Sequence, residues 1–172
     1  VGGAVANTFI GSSAGYSNTT GHSNTSLGYG AIHANNTGFE NTAIGRQAFA
    51  TNTIGTENTA IGFKAGFYNI SASRNIAIGN YALYGQAYDP GFVWNSDNVA
   101  VGHSALYFNQ PTSTSNGIYN TAIGNFSLYH NNTGYYNTAA GYNALYNNTT
   151  GFKNTAMGSA ALFSNTFGLY NT

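Results

Sequence analysis

The chain offers few side chains to chemistry. Its 172 residues carry four acids, four Lys or Arg, four histidines and no cysteine. Two of the acids, Asp89 and Asp97, bracket the only tryptophan, Trp94, in the stretch GQAYDPGFVWNSD over 85–97. An exposed indole stacks on a sugar ring, and Tyr88, Asp89, Asn95 and Asp97 beside it can hydrogen-bond the ring's hydroxyls. These five residues form the candidate ligand site. The competing reading is that Trp94 tucks against the protein and only anchors its loop, because aromatic bodies usually find burial. Asp89 and Asp97 could also pair as acid and base or share a calcium ion, but two carboxylates in one loop are weak grounds for either. His22, His33, His103 and His130 show no H-x-x-x-H pair, so no zinc or other metal site is expected. The glycines are spaced for turns rather than for cradling phosphate. No catalytic residue and no cofactor are expected, and the chain does not read as an enzyme.

The elements that must position these residues are repeats. Asn41-Thr42-Ala43-Ile44-Gly45 recurs from Asn7, Asn24, Asn58, Asn75, Asn98, Asn120, Asn137 and Asn154, and a last copy begins at Asn171. The spacing is 17 residues, lengthened to 23 after Asn75 and to 22 after Asn98. A short, strict period is the mark of a solenoid, in which one unit cannot bury its apolar face and stacking makes the core. The unit is close to N-T-A-I-G-x-x-A-L-Y-x-N-T-T-G-x-x. Runs such as Thr42-Ala43-Ile44 and Ala82-Leu83-Tyr84 have the length of short strands, not of helices. The expected fold is all-β: a parallel β-solenoid of 17-residue coils. It comprises a single domain over 1–172, about ten coils and ~45–50 Å long at ~4.8 Å per coil. Loop insertions fall at 85–97 and 108–119, in the same part of neighbouring units. Insertions on a repeat scaffold often map to its binding face.

Stacked coils place equivalent residues in ladders. The Asn column (Asn7, Asn24, Asn41, Asn58, Asn75, Asn98, Asn120, Asn137, Asn154) is expected to pass amide hydrogen bonds from coil to coil, as in cross-β assemblies. Within the strand, Asn and Ala share one face and Thr and Ile the other. Small Ala suits a narrow interior. That sends outward the column Ile10, Leu27, Ile44, Ile61, Ile78, Val101, Ile123 and Met157, an apolar strip that needs a partner. A one-residue shift of register reverses this, with Ile inside, Ala outside and a monomeric solenoid. A second stripe, Tyr16, Phe67, Tyr84, Tyr107, Tyr129, Tyr146 and Phe163, reads as cross-strand stacking or as a surface for glycans.

Balanced, sparse charge argues against nucleic acid, which needs clustered Lys and Arg. No apolar run approaches the roughly 20 residues of a membrane span. The N-x-[ST] triplets, such as those at Asn18 and Asn148, arise from the repeat composition. The chain starts at Val1 and stops two residues into a unit, as a mature product or a piece of a longer protein would.

The stretch GFENTAIGRQA over 38–48 resembles the head repeat of YadA-like trimeric autotransporter adhesins, G-x-x-S-x-A-I-G-x-x-A, with Asn here in place of Ser. The resemblance covers essentially every unit, although the segment after Ala is longer. Similar arrays occur in tail-fibre-like surface proteins. It implies a left-handed parallel β-roll, three chains side by side and the Ile column buried between them. The expected function is therefore a structural and adhesive module of an extracellular or cell-surface fibre. Its partners would be copies of itself, as a homotrimer, together with glycans or extracellular matrix. A filament subunit stacking end to end is the second reading. An ice-binding solenoid is the third, weakened by the lack of a regular T-x-T strand.

Overall fold

The computed structural model describes residues 5–172. Its elements are, in order, β1 (Thr8–Ile10), β2 (Thr25–Leu27), β3 (Thr42–Ile44), β4 (Thr59–Ile61), β5 (Ala72–Ser73), β6 (Ile76–Ile78), β7 (Trp94–Asn95), β8 (Val99–Val101), β9 (Thr121–Ile123), β10 (Thr138–Ala140) and β11 (Thr155–Met157). Nine of them form one parallel sheet, in the order β1-β2-β3-β4-β6-β8-β9-β10-β11. Each pair is in register by one repeat, as in Thr42↔Thr59 and Ile44↔Ile61, and the longer units keep it, as in Ala77↔Ala100. The chain is a parallel β-solenoid. β5 and β7 make a second, two-stranded parallel sheet where the insertions begin.

Register follows the smaller side chain. Ala43, Ala60, Ala77, Ala100, Ala122 and Ala139 are fully buried in the strand centres. Thr and Ile on either side of them point outward. The strand centres leave room for a methyl or a hydroxymethyl, as at Ala43 and Ser26, and the Phe9 ring fits because Gly15 beside it has no Cβ. The Ile column therefore lies on the outer face of the sheet: Ile10, Leu27, Ile61, Ile78, Ile123 and Met157 are exposed, and Ile44 and Val101 half-buried.

The second run of each unit is not a strand. Tyr81 and Leu83 sit at φ of 58° and 49°, in the left-handed region, and the same two positions recur as Gln47 and Phe49, Ser104 and Leu106, Phe126 and Leu128, and Asn143 and Leu145. This overturns the expectation that Ala82-Leu83-Tyr84 is extended. The physical reason is packing. The left-handed step turns two successive side chains, Ala82 and Leu83, inward together, which a strand's strict alternation forbids. Each such step costs ~1–2 kcal/mol for a residue with a Cβ. Burying the Leu returns ~1.5–3 kcal/mol, so burial wins at this position. The column Ile32, Phe49, Leu83, Leu106, Leu128 and Leu145 forms the main apolar core with the strand alanines. Where it contains glycine, at Gly15 and Gly66, the rings of Phe9 and Phe49 occupy the space a Cβ would need.

Two Asn ladders line the rest of the interior. In the first, Asn58 donates its backbone N–H and its Nδ2 to Asn41 Oδ1, both at 3.1 Å. Asn58 Oδ1 in turn accepts the same two bonds from Asn75, at 2.9 and 3.1 Å. The second ladder contains Asn18, Asn35, Asn52 and Asn69, then Asn109, Asn131, Asn148 and Asn165, linked Nδ2 to Oδ1 from coil to coil. The ladders meet at one carbonyl per coil. Asn24 and Asn35 both donate to Gly38 O at 2.9 Å, and Asn41 and Asn52 both donate to Gly55 O at 2.9 and 3.1 Å. Gly38 is glycine because a Cβ there would collide with Asn35 Oδ1 and approach Gly55 O to 2.5 Å.

Truncating Asn58 to Ala strips Asn75 of its acceptor and Asn41 of a donor inside the roll. It is expected to lower unfolding free energy by about 2–4 kcal/mol, since each buried polar group left alone costs ~1–3 kcal/mol. The exposed Asn132→Ala serves as control and should change it by less than ~0.5 kcal/mol. Denaturant titration of both variants measures the difference.

Candidate functional site

The insertion edge is built on the second Asn ladder. After Gln86, which replaces the ladder Asn, the chain leaves the coil over 87–93 and re-enters through β7. After Asn109 it leaves again and re-enters at Gly117. Gln86 keeps the interior satisfied by another route. Its Oε1 accepts from Asn98 and Asn109, at 3.1 and 3.2 Å, and its Nε2 donates to Ser96 Oγ at 2.7 Å. Ser96 Oγ passes the chain on to Asn75 Oδ1 at 2.7 Å. Asn69 Oδ1 is left without a donor as a result. The second insertion is closed by Asn116, whose Oδ1 accepts from Thr112 N at 2.9 Å.

Trp94 does not face solvent. It is 5% exposed and packs with Ala72 and Ile118, with Tyr88 and Tyr135 against the cluster. Tyr88 meets the indole edge-on, with centroids 5.8 Å apart. The assignment of Trp94 as a sugar platform is thus corrected: an isolated apolar side chain found burial beneath the loops. Its neighbours are dispersed. Asp89 is exposed and holds its own turn, accepting from Gly91 N at 2.9 Å. Asn95 is exposed, Asp97 is half-buried at a left-handed position, and Tyr88 is half-buried. The structure does not draw these residues around a common space. No group of three or more His, Cys, Asp or Glu side chains gathers among the described residues. The histidines lie among aromatics instead: His22 stacks flat on Phe39, His33 on Tyr16 and His130 on Phe108, whereas His103 meets Phe126 edge-on.

What the structure does assemble is an aromatic face. Phe67, Tyr84, Tyr107, Tyr129, Tyr146 and Phe163 stack in one unbroken column, with centroids 4.8–5.6 Å apart and planes within 20°. Coil spacing dictates this distance, so each ring lies over the last. The next residue of the unit adds a partial second column, in which Tyr68, Phe108 and His130 stand edge-on to the first. Between Tyr68 and Phe108 the corresponding residue is Gly85, and a cleft of about 240 Å³ opens there. Tyr84 and Tyr107 also line it, and Ala87 and Gln110 contribute from the starts of the two insertions. Flat rings, phenol hydroxyls and an amide at the rim suit a sugar ring, whose C–H faces stack while its hydroxyls hydrogen-bond. The cleft escaped the sequence reading because its marker is a glycine in an aromatic column. That is visible only once the column is aligned.

Crowding also tunes the phenols. Burial, then the adjacent Tyr68 hydroxyl, pushes Tyr84 up to about 12. Tyr107 and Tyr129 are raised as well, first by burial and then by neighbouring tyrosines. Neither family models, nor curated sequences, nor solved structures match the chain.

A raised phenol pKa stabilises the fold only while the phenol stays protonated. Above the ordinary value near 10 the unfolded chain loses its protons first, so stability is expected to fall between pH ~10 and about 12. An ultraviolet tyrosinate titration should show a late-ionising fraction, which Tyr84→Phe reduces.

Proposed function

We propose that this chain is a non-enzymatic structural and adhesive module of an extracellular fibre, working as a side-by-side homotrimer. The observation that carries the reading is the outer face of the nine-stranded sheet. There Ile10, Leu27, Ile44, Ile61, Ile78, Val101 and Ile123 stand in register on successive coils, and Met157 follows after Ala140. A strip one residue wide and the length of the molecule suits a partner of the same length and period, and a second copy of this chain has both. Burying eight such side chains is worth up to ~12–24 kcal/mol at ~1.5–3 kcal/mol each. Association costs on the order of 4–15 kcal/mol, so the strip can hold an oligomer together. The resemblance to YadA-like head repeats favours three copies over two.

In this reading the remaining faces stay free for adhesion, and the cleft at Gly85 is the contact for glycans. It lies at the root of both insertions, where the repeat departs from its own pattern. The aromatic column beside it gives the sheet stiffness and offers flat surfaces.

Light scattering with absolute molar mass tests the assembly. The parent is expected at three times the chain mass of 18.0 kDa. Ile44→Asn, Ile61→Asn and Ile78→Asn together should give folded single chains, because the interior is untouched. A parent that is monomeric refutes the trimer, and one that grows without limit favours the end-to-end filament. A glycan array tests adhesion: Tyr68→Ala with Phe108→Ala should cut binding at least tenfold at unchanged mass. Equal binding by parent and variant would remove the cleft from the function.

A further inference from the structure

A second interruption of the aromatic face points to a ligand that the adhesive reading does not include. The stacked column is continuous from Phe67 to Phe163, and it resumes two coils below Phe67 with His33 on Tyr16, centroids 5.2 Å apart. The residue of the coil between is Ala50. Its backbone is in place, since Ala34 N donates to Ala50 O at 3.0 Å. The coils therefore hold their spacing while one ring is missing. A cavity of about 350 Å³ occupies that level, lined by His33 and Phe67 together with Ala50, Thr51, Gln47 and Tyr29, among others.

The geometry points to a binding site for a small planar aromatic molecule, inserted as the absent rung between His33 and Phe67. Two coil steps place those rings ~9.6 Å apart at ~4.8 Å per coil. One ring inserted midway then lies ~4.8 Å from each, within the 4.8–5.6 Å range of the column's own neighbours. The volume is ample, since a dry apolar cavity of about 150 Å³ already accommodates benzene. No carboxylate lines the cavity, which suits a neutral ring. Thr51 is not a free handle, because its hydroxyl donates to Phe67 O at 2.6 Å. The Gln47 amide makes no hydrogen bond among the described residues and provides a donor and an acceptor at the wall. The ligand class is thus a flat, uncharged ring with one polar edge atom, such as an indole or a phenol.

Indole is the probe. Calorimetric titration of the full chain with indole, alongside saturation-transfer NMR, is expected to show one saturable site. Cyclohexanol, of similar size but not flat, should bind at least tenfold more weakly. Ala50→Phe supplies the missing rung from the chain itself, so it should abolish indole binding while raising the melting temperature. His33→Ala removes one wall and should weaken binding several-fold in a protein that still folds. The inference is overturned if indole shows no saturable binding to the parent, if Ala50→Phe binds it as the parent does, or if cyclohexanol binds equally well.

Discussion

The structure depends on one arrangement of amides. In each regular coil a single carbonyl, that of Gly38 or Gly55 for example, accepts from two Asn side chains that lie on different walls of the roll. This ties the strand to the returning turn across the interior. The side chains of Asn35, Asn41 and Asn52 also donate to the coil before and accept from the coil after. Without charge, the Asn amide offers two donor hydrogens and an acceptor oxygen, enough to reach the shared carbonyl and both neighbouring coils at once. A carboxylate column would stack like charges at coil spacing. An aliphatic column would leave the shared carbonyl and the strand's backbone N–H buried without partners, at ~1–3 kcal/mol each. The ladder is therefore a condition of closing so thin a roll rather than an ornament on it. Gln86 shows how narrow the tolerance is, because its extra methylene is absorbed only with Ser96 inserted as a bridge, and Asn69 Oδ1 is left unpartnered.

Backbone strain is the counterweight. Left-handed non-glycine residues recur in every coil, including the outward Glu40, Glu57 and Arg74 at φ of 56–62°. At the inward Leu position burial offsets the strain. At the outward positions the return is inter-coil hydrogen bonding, as in Glu57 N to Phe39 O at 3.1 Å and Gln47 N to Tyr29 O at 2.9 Å. The Arg74–Glu57 pair, 3.4 Å apart and half exposed, adds little by comparison. Stability is thus collective. No coil carries enough favourable contact to justify its own strained turns, and each is held by its neighbours.

Much of this architecture was legible in the residues. The period, the parallel stacking, the inward Asn and Ala and the outward Ile all follow from Asn41–Gly45 and its copies, because alternation within a strand is rigid and the small residue must face the narrow side. The second half of the unit was not legible in the same way. Ala82-Leu83-Tyr84 looks like a strand by composition, and nothing in its residue types announces φ of 49° at Leu83. That value comes from packing across the roll. Trp94 illustrates the same limit in the candidate site. Its sequence neighbours Asp89, Asn95 and Asp97 suggested a polar platform, whereas its spatial neighbours are Ala72 and Ile118, from the coils on either side. The gaps at Ala50 and Gly85 are written in the sequence, but a missing ring acquires meaning only once the rings around it are seen to stack.

The Asn side chains form buried ladders that pass from coil to coil, broken only between Asn69 and Gln86. Side-chain amide hydrogen exchange, followed by NMR on isotope-labelled protein, reads this directly. The Nδ2 protons of Asn41, Asn52, Asn58 and Asn137, all buried, should exchange orders of magnitude more slowly than those of the exposed Asn36 and Asn132. Equal, fast exchange at all of these residues would show that the amides are open to water, and the ladders could not be what holds the coils together.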